Sequence, residues 1–541
     1  MGWNPLSRER VHDSMQEVSD CLEEVIQREL STVETIAATS DLWSDINGQQ
    51  WATISVHWID QTFNLRVRNI GVIRVKEKSG VSISELIQAH VNKFIDPTKT
   101  RLVCIVTDQG GEMLVATSLL PATLNSKQLI SCIGHIFHNS VTDALEDDER
   151  VALIRKICVH FRNNERTFVK KMCEYQLLKD QDTRWSSIYF MIVRFCKVAA
   201  KLEESFSQQL ITHFFPKEQY PNFTVAWSKL VQDAQTIQSI LEPFYKYSTK
   251  VQGNFITLSS IPSMVNKLLN NLLVDRQRDS HVQVEVKSKL YVALSKRTEH
   301  IFKRDSIYLC AAFLDARFNL LEFLIPDPPA DAPVDWAPPI SPIGITTKRS
   351  EVKTSLHELY RRIFAAQAQP RPRPTAEEVS RMTAEEQKQV MDSIAEDELS
   401  LDPIEVNRFE ISMVNLRSVK LVPDFPTLWN GKIGSANPVL RKLATAILAI
   451  PGSSAESERA FSIMGRIISK YRTRALDETS QVRFMIASNI PKKPQQKNDC
   501  KNFFRVTMQE ITAAKLRLER EGRPQAAASQ GGPTRDAILI E

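Results

Sequence analysis

The sequence predicts an α/β protein in which a mixed sheet comes first, followed by a long helical block and a helical carboxyl-terminal region. Three observations favour this class. Strand-like patterns are confined to residues 36–106, helical periodicity without strand alternation continues from about Ala144, and an amphipathic helix with its own start signal begins near Ala455. A chain of 541 residues exceeds the size at which one hydrophobic core stops growing. We therefore expect several domains, or one domain with a large insertion.

The first part of the chain predicts three strands joined as hairpins. They are residues 36–43, 51–60 and 65–75. In the second, apolar residues alternate with threonine, serine and histidine, which is the period of a half-buried strand. The connections are short and polar, with Asn47 and Gly48 in the first, so antiparallel pairing is expected.

A helix and a buried strand complete the predicted sheet. Ser82 followed by Glu85 resembles a capping box at the start of the helix, and residues 102–106 form a continuous apolar run typical of a buried parallel strand. The crossover places this strand beside the first one. Asp41 and Asp108 would then lie at the carboxyl ends of neighbouring strands, the edge where sites in such sheets form.

A third acid, Glu458, lies in the helix that begins near Ala455. Ser453 and Glu456 have the spacing of a capping box, which would leave Glu458 free. On its own, Glu458 is typical of a solvated first-turn carboxylate that favours the helix dipole. An apolar stripe on the same helix is expected to face the core, formed by Ala460, Met464, Ile467 and Ile468.

The three acids together suggest a more specific chemistry. Phosphoryl transfer on nucleic acid uses carboxylates that converge on two divalent cations about 3.5 to 4 Å apart. Oxygen ligands of this kind suit Mg²⁺ or Mn²⁺. Two strand-end aspartates, Asp41 and Asp108, with the helical Glu458 match an RNase H-like arrangement.

Composition narrows the class of protein further. Hydrophobic residues make up 42% and charged residues 25%, as in globular chains, and no apolar run is long enough for a transmembrane helix. Charged residues at the start argue against a signal peptide, and the eight cysteines form no CxxC pair, so we expect reduced thiols in an intracellular protein. The net charge of +5 is too small to indicate nucleic acid by itself.

The motifs resemble those of the hAT superfamily of DNA transposases and their domesticated, BED-finger-associated relatives. The resemblance rests on TSDLWSD, WATISVHWID, VTDQGGEM, CIGH, DTRWSS and, above all, LAIPGSSAESERAFSIMG. It implies an RNase H-like mixed sheet core interrupted by a large all-α insertion domain, with a helical C-terminal dimerisation region. The family's catalytic acids match Asp41, Asp108 and Glu458, which implies a site for Mg or Mn. Asp45 is interpreted as a turn acid and Glu456 as a capping residue.

The expected domains follow from this resemblance and from composition. An N-terminal helix spans residues 1–32, the first part of the core 33–143, and the helical insertion 144–423. Proline-rich stretches near 325–345 and 367–375 predict mobile connectors. The dimerisation region and last core helices span 424–492, and a mostly disordered tail spans 493–541.

The CIGH motif and the basic segments supply further candidate residues. Cys132 and His135 are half of a zinc pattern, but a second pair at Cys158 and His160 has an unusual spacing, so zinc is not favoured. The resemblance implies instead that Cys132 and His135 support the strand after Asp108 and contact the active site or DNA. The resemblance also implies that basic residues and Trp185 contact DNA. The structural alternative for Trp185 is burial in the helical block, and the alternative for the basic residues from Arg466 to Arg474 is a solvated face. The candidate DNA-binding residues are Arg184, Trp185, Arg466, Lys470, Arg472 and Arg474.

Two functions of different class remain open from the sequence. The first is a DNA-binding, dimerising transposase core with Mg-dependent cleavage and strand transfer. The second is a domesticated, non-catalytic nuclear protein that dimerises and binds chromatin partners. The retained acids favour the first, and the lack of the family's BED finger in this sequence is expected to favour the second. Both imply a nuclear location, no membrane association and a homodimer or higher homo-oligomer. An apolar stripe in the carboxyl-terminal region could pack either on the core of the same chain or on another copy: Leu440, Leu443, Ala444, Ile447 and Leu448.

Overall fold

A mixed four-stranded sheet forms the first part of the protein. The computed structural model describes residues 7–108, 110–120, 124, 130–164, 177–180, 186–252, 256–325, 342–365, 403–418, 424–468, 477–490 and 508–520. The strands are β1 (Thr35–Ser44), β2 (Gln50–Ile59), β3 (Leu65–Val75) and β4 (Arg101–Val106), in the order β3-β2-β1-β4. The first three pair antiparallel and β4 runs parallel to β1. The predicted mixed sheet, with its last strand beside the first, is confirmed.

Two aspartates close the hairpins in the same way. Asp45 and Asp60 each accept hydrogen bonds from the backbone N–H groups two and four residues further along, at 2.8–2.9 Å. Both turns also contain a residue with positive φ, Gly48 at 76° and Phe63 at 58°. Glycine adopts this conformation without strain, whereas a phenylalanine there needs compensating contacts.

The sheet is covered on both faces, which corrects the half-buried strand predicted for β2. Thr53, Ser55 and His57 on its polar side are all buried. His57 Nε2 lies 3.3 Å from the Thr39 hydroxyl, so the polar side is satisfied within the protein. The alternation in β2 therefore separates an apolar face from a buried polar one, because helices from the carboxyl-terminal region pack on β1 and β2.

Four helices accompany the sheet in the first part of the chain: α1 (Arg8–Leu30), α2 (Gly80–Phe94), α3 (Gly111–Leu119) and α4 (Ile133–Leu145). The start of α2 differs from the prediction. Ser79 is its N-cap and accepts the N–H of Ser82, so Ser82 lies inside the first turn. The actual cap is one turn earlier than the Ser82 and Glu85 pair indicated.

A helical block follows, as predicted. It contains α5 (Glu149–Asn164), α6 (Ser186–Glu204), α7 (Gln208–Phe214), α8 (Phe223–Gln252), α9 (Ile261–Asn271), α10 (His281–Thr298), α11 (Ile307–Phe313) and α12 (Pro342–Tyr360). Stacked and edge-on aromatic pairs such as Tyr189 with Tyr245 and Phe195 with Trp227 join α6 to α8. Because α12 begins at Pro342, the end of the predicted connector at 325–345 is helical. The connector at 367–375 lies outside the described residues.

The carboxyl-terminal region adds α13 (Pro403–Ser418), α14 (Phe425–Asn430), α15 (Lys432–Ala436), α16 (Pro438–Leu448), α17 (Ala455–Ile467) and α18 (Asp477–Asn489). The stripe on α16 is buried within this chain, together with the helical block: Leu440, Leu443, Ala444, Ile447 and Leu448. Of the two alternatives left open by the sequence, the structure therefore supports packing on the core.

The outer strand β3 carries a bulge that α18 covers. Ile54 pairs with Gly71 and Ser55 with Asn69, which leaves Ile70 as an extra residue. The Asn489 side chain bonds to both backbone groups of Asn69, accepting its N–H at 3.3 Å and donating to its carbonyl at 2.9 Å.

One helix lies within the tail that was predicted to be mostly disordered. This helix, α19 (Met508–Arg520), packs against α1. Ile511 and Ala514 are buried with Cys21 and its neighbours on α1. Arg517 donates two hydrogen bonds to Glu24 at 2.9 Å, so the contact combines apolar burial with a bidentate ion pair.

Candidate active site

The parallel pairing of β1 and β4 brings Asp41 and Asp108 together. The β1–β4 pairing ends with Thr39 opposite Val106, and each aspartate lies two residues beyond this last pair, although Asp41 still pairs with Thr53 of β2. The backbone N–H of Asp108 donates to Asp41 Oδ1 at 3.1 Å. Asp108 Oδ1 in turn accepts the N–H of Gly110 at 3.1 Å, so the turn after β4 orients the second carboxyl group.

Asp41 is a buried carboxyl group with one unsatisfied oxygen. The residue is 4% exposed, and its Oδ2 has no hydrogen-bond partner among the described residues. Burial raises the pKa of Asp41 to about 7, and nearby Asp108 adds to the rise, although His135 and the facing Ser454 hydroxyl oppose it. A buried oxygen of this kind is costly unless a cation or a proton occupies it.

The CIGH segment lies between the end of β4 and the start of α17. Cys132 donates its backbone N–H to Thr107 O at 2.8 Å, and its Sγ accepts the N–H of Ser454 at 3.3 Å. Burial alone would lower the pKa of His135, but Cys132 and the carboxyl groups of Asp41 and Asp108 outweigh it and raise that pKa to about 10. His135 therefore places positive charge beside the two aspartates.

The helix that carries Glu458 begins at Ala455, as predicted, but the capping box is wrong. Its N-cap is Ser454, whose side chain makes no capping bond. Ser453 Oγ does accept a free amide at the helix start, the N–H of Ala455 at 3.4 Å, and it donates to the carbonyl of Val251. Glu456 does not reach back to the cap but forms a bidentate pair with Arg459 at 2.6 and 3.1 Å. Since Arg459 also donates to the carbonyl of Gln252, the last turn of α8 anchors this helix start.

Glu458 lies one turn beyond Ser454 and is half-buried. Its carboxylate makes no hydrogen bond or ion pair with another described residue. On the same helix, Phe461 stacks on Trp43 with ring centroids 5.8 Å apart, which fixes α17 against the end of β1. Within the described parts of the chain, no three histidine, cysteine, aspartate or glutamate side chains are grouped as metal ligands. The structure thus places Asp41 beside the backbone of Asp108, and among the described residues it shows no group of three ligands that adds Glu458 to them.

The donor atoms fit a divalent cation at the aspartate pair. Asp41 offers an oxygen that lacks a partner, and the neighbouring Asp108 supplies a second hard oxygen ligand. Asp45 does not offer this, because its Oδ1 accepts two backbone N–H groups and its Oδ2 accepts the Trp51 indole N–H at 3.1 Å. The geometry agrees with the interpretation of Asp45 as a turn acid.

Of the six residues predicted to bind DNA, the described part of the chain contains Arg466. Arg184, Trp185, Lys470, Arg472 and Arg474 lie outside the described residues. Arg466 is exposed in the last turn of α17.

Sequence reasoning missed Ser454 and Arg459. Ser454 faces Asp41, and Arg459 holds the helix of Glu458. Arg459 could have been found from the sequence, because Glu456 lies three residues before it and this spacing on a helix suits an ion pair.

Two family models match the segments that carry this site. The model described as "ZBED1 RNase-like domain" matches residues 39–136, which include Asp41, Asp108, Cys132 and His135. The model described as "hAT family C-terminal dimerisation region" matches residues 421–490, which include Glu458. Together with the similarities below, these matches support a hAT-family, transposase-like protein, as the motifs predicted. The dimerisation region indicates self-association.

Two maize proteins are similar to most of the chain. "Putative AC9 transposase" from Zea mays is 21% identical over 487 residues, covering 81% of this chain and 55% of the relative. "Putative AC transposase" from Zea mays is 22% identical over 474 residues, covering 81% and 54%. The chain therefore spans about half the length of these curated relatives. Every helix in the described part is too short or too polar to cross a membrane.

Proposed function

We propose that this chain is a transposase core that cleaves and joins DNA with Mg²⁺ or Mn²⁺. The observation that carries the proposal is the hydrogen bond from the Asp108 backbone N–H to Asp41 Oδ1, which joins the turn after β4 to the carboxyl group on the neighbouring strand. The unpartnered Asp41 Oδ2 supports it, because a buried carboxylate oxygen without a donor suits a cation.

The proposed roles follow from the chemistry of the side chains. Asp41 and Asp108 hold the metal, and Glu458 supplies the third carboxylate from α17. When bound, divalent metal activates the attacking hydroxyl and stabilises the leaving oxygen. His135 adds a positive charge that attracts the phosphate, and Cys132 positions the helix start through Ser454 N–H.

We further propose that the DNA is bound along the basic residues that the motifs indicated. Arginine and lysine contacts to phosphate give affinity that falls with salt. Trp185 would stack on a base, and a homodimer would act in the nucleus. The proposed contacts are Arg184, Trp185, Arg466, Lys470, Arg472 and Arg474.

A plasmid-nicking assay tests the proposal. The purified chain with Mn²⁺ is expected to convert supercoiled DNA to nicked circles, and Asp108→Asn is expected to reduce the rate at least a hundredfold. Asp233→Asn is the matched control, since Asp233 lies on α8 in the helical block. Equal rates for Asp108→Asn and wild type would overturn the assignment. A chain that binds DNA and self-associates but never nicks it would indicate the non-catalytic alternative.

Metal binding gives a second readout that does not depend on activity. Mn²⁺ is expected to raise the melting temperature of the wild-type chain and of Asp233→Asn. It should leave Asp41→Asn and Asp108→Asn unchanged, because each lacks one of the two proposed ligands.

A further inference from the structure

A cavity of about 360 Å³ lies between α4 and the end of α10. Asp143 of α4 lines one side of it. The last turns of α10 and the short 3-10 turn that follows, Glu299–Phe302, line the other side. Cavities of this size commonly hold small ligands and are lined mainly by apolar side chains. Among the described residues that line this cavity, Ala293 is the only apolar one, so the cavity suits a charged ligand.

Positive charge predominates in the wall of this cavity. Lys296, Arg297 and Lys303 carry three positive charges there, whereas Asp143 and Glu299 carry two negative ones. Lys296 makes no ion pair with another described residue, so its ammonium group is free to bind an anion. A concave wall with an excess of one sign of charge attracts ligands of the other sign. The described lining therefore favours an anion.

The two acids in the wall are more exposed than the arginine between them. Asp143 pairs with Arg297, and the Asp143 side chain is 49% exposed whereas that of Arg297 is 27% exposed. Glu299 pairs with Lys303 at 3.4 Å and is 73% exposed. Exposed pairs of this kind contribute little to stability, so the carboxylates can turn into water while the guanidinium group stays in place. A phosphate group can then replace a carboxylate, because both bind a guanidinium group through two oxygens.

Two buried nitrogen atoms in the wall lack a hydrogen-bond partner among the described residues. They are Arg297 Nε and His300 Nε2. Burial lowers the pKa of His300 to about 4, with Lys303 adding to the shift and Glu299 opposing it, so the ring is neutral at pH 7. A neutral imidazole can donate a hydrogen bond from Nε2. Because a buried donor without a partner is costly, a ligand oxygen that reaches these atoms stabilises the protein.

We propose that this cavity, the α10 cavity, binds a phosphate group. Arg297 and His300 donate hydrogen bonds to its oxygens from the inner wall, and Lys296 and Lys303 balance its charge from the rim. The phosphate comes from one of two sources with the same chemistry, the backbone of DNA or a phosphate ion in solution. The first source rests on the proposed DNA binding, whereas the second is independent of it.

DNA binding by the full chain tests the first source. The double variant Lys296→Gln with Lys303→Gln removes two exposed cations from the rim. In fluorescence anisotropy with EDTA present, this variant is expected to bind duplex DNA about tenfold more weakly, and the slope of log affinity against log salt should fall by about one. Lys93→Gln with Lys99→Gln is the matched control, since it removes the same charge from two exposed lysines that pair with acids near the start of β4. The control should keep the affinity and slope of the wild type.

Thermal unfolding in orthophosphate tests the second source without DNA. At equal ionic strength, orthophosphate is expected to raise the melting temperature of the wild type and the control above that in chloride, and to raise it less in the double variant. Loss of DNA affinity assigns the phosphate to DNA, and loss of the orthophosphate response alone assigns it to a free ion. If the double variant matches the control in both experiments, the α10 cavity binds no phosphate while the proposed DNA binding stands. If the wild type binds no DNA, that proposal fails and the orthophosphate response alone decides on the cavity.

Discussion

The ring of Phe63 stacks on the indole of Trp429, with centroids 5.6 Å apart and planes inclined by 22°. Trp429 stacks in turn on Phe409, so three rings join the β2–β3 hairpin to the carboxyl-terminal region and to α13. Arg441 lies over Phe63 at 5.4 Å and donates to the Trp429 carbonyl at 2.9 Å. These contacts explain how Phe63 tolerates its positive φ.

Replacing Phe63 is expected to separate ring packing from backbone strain. Phe63→Ala should lower the free energy of unfolding by about 3–5 kcal/mol, because a buried ring is lost. Phe63→Gly should cost about 1 kcal/mol less, since glycine adopts φ of 58° without strain. Urea unfolding measures both. Equal losses for the two variants would show that the positive φ carries no cost.

Asp41→Asn and Asp45→Asn are expected to change stability in opposite directions. Without divalent metal at pH 8, Asp41→Asn should raise the free energy of unfolding by about 1–3 kcal/mol, because it removes a buried charge without a partner on Oδ2. Asp45→Asn should lower it by about 1.5–3 kcal/mol, since an amide cannot replace all three accepted hydrogen bonds.

Mn²⁺ provides the control for this pair. It should stabilise Asp45→Asn as much as wild type and have no effect on Asp41→Asn. Thermal unfolding with and without Mn²⁺ measures the difference. A metal response that survives in Asp41→Asn and is lost in Asp45→Asn would reverse the two roles.

The buried His57 is expected to make the fold less stable in mild acid. Burial lowers the pKa of His57 to about 4; Glu456 opposes this shift and Arg459 adds to it. In the unfolded chain the imidazole of His57 is protonated near pH 6.5, whereas in the folded chain it is protonated only near pH 4. Its contribution is thus full above pH 6.5 and is lost as pH falls to 4, by about 3 kcal/mol.

The variant His57→Gln isolates this contribution. The raised pKa of Asp41 acts in the opposite direction, reducing stability as pH rises from about 4 to 7, so the wild-type profile alone mixes the two. The stability difference between wild type and His57→Gln should shrink between pH 7.5 and pH 4.5 in urea unfolding. A difference that is constant with pH would contradict the low pKa.

Removing residues 508–541 is expected to expose Cys21. Cys21 is buried against Ile511 and Ala514 of α19, and burial raises its pKa to about 11. Without α19, its reaction with a thiol reagent should accelerate at least tenfold, while Cys104 inside the sheet stays unreactive. Mass spectrometry of labelled peptides measures both rates. An unchanged rate at Cys21 would show that α19 does not protect α1.

The sequence predicted the elements whose patterns are local. The alternation in β2, the continuous apolar run of β4 and the helical periodicity of the block are all patterns of residues close together in the sequence. The crossover rule then sufficed to bring Asp41 and Asp108 together. The burial of His57 was not predictable, because it depends on helices almost four hundred residues later in the chain.

Where two local rules competed, sequence could not decide between them. Glu456 suits a capping box with Ser453 and an ion pair with Arg459, and the bond from Arg459 to Gln252 favours the second. The α19 helix was missed for a related reason. Its composition resembles that of a disordered tail, and it is held by contacts distant in sequence, among them those with Glu24 and Cys21.

The hydrogen bonds of Asn489 to Asn69 affect whether the exposed edge of β3 can pair with a strand of another molecule. An edge strand with free N–H and carbonyl groups recruits strands from other molecules, and this is a common route to aggregation. Asn489 occupies both groups of Asn69 in the middle of β3, where the bulge at Ile70 already breaks the regular ladder. Neighbouring molecules therefore cannot extend the sheet along this edge without first displacing α18.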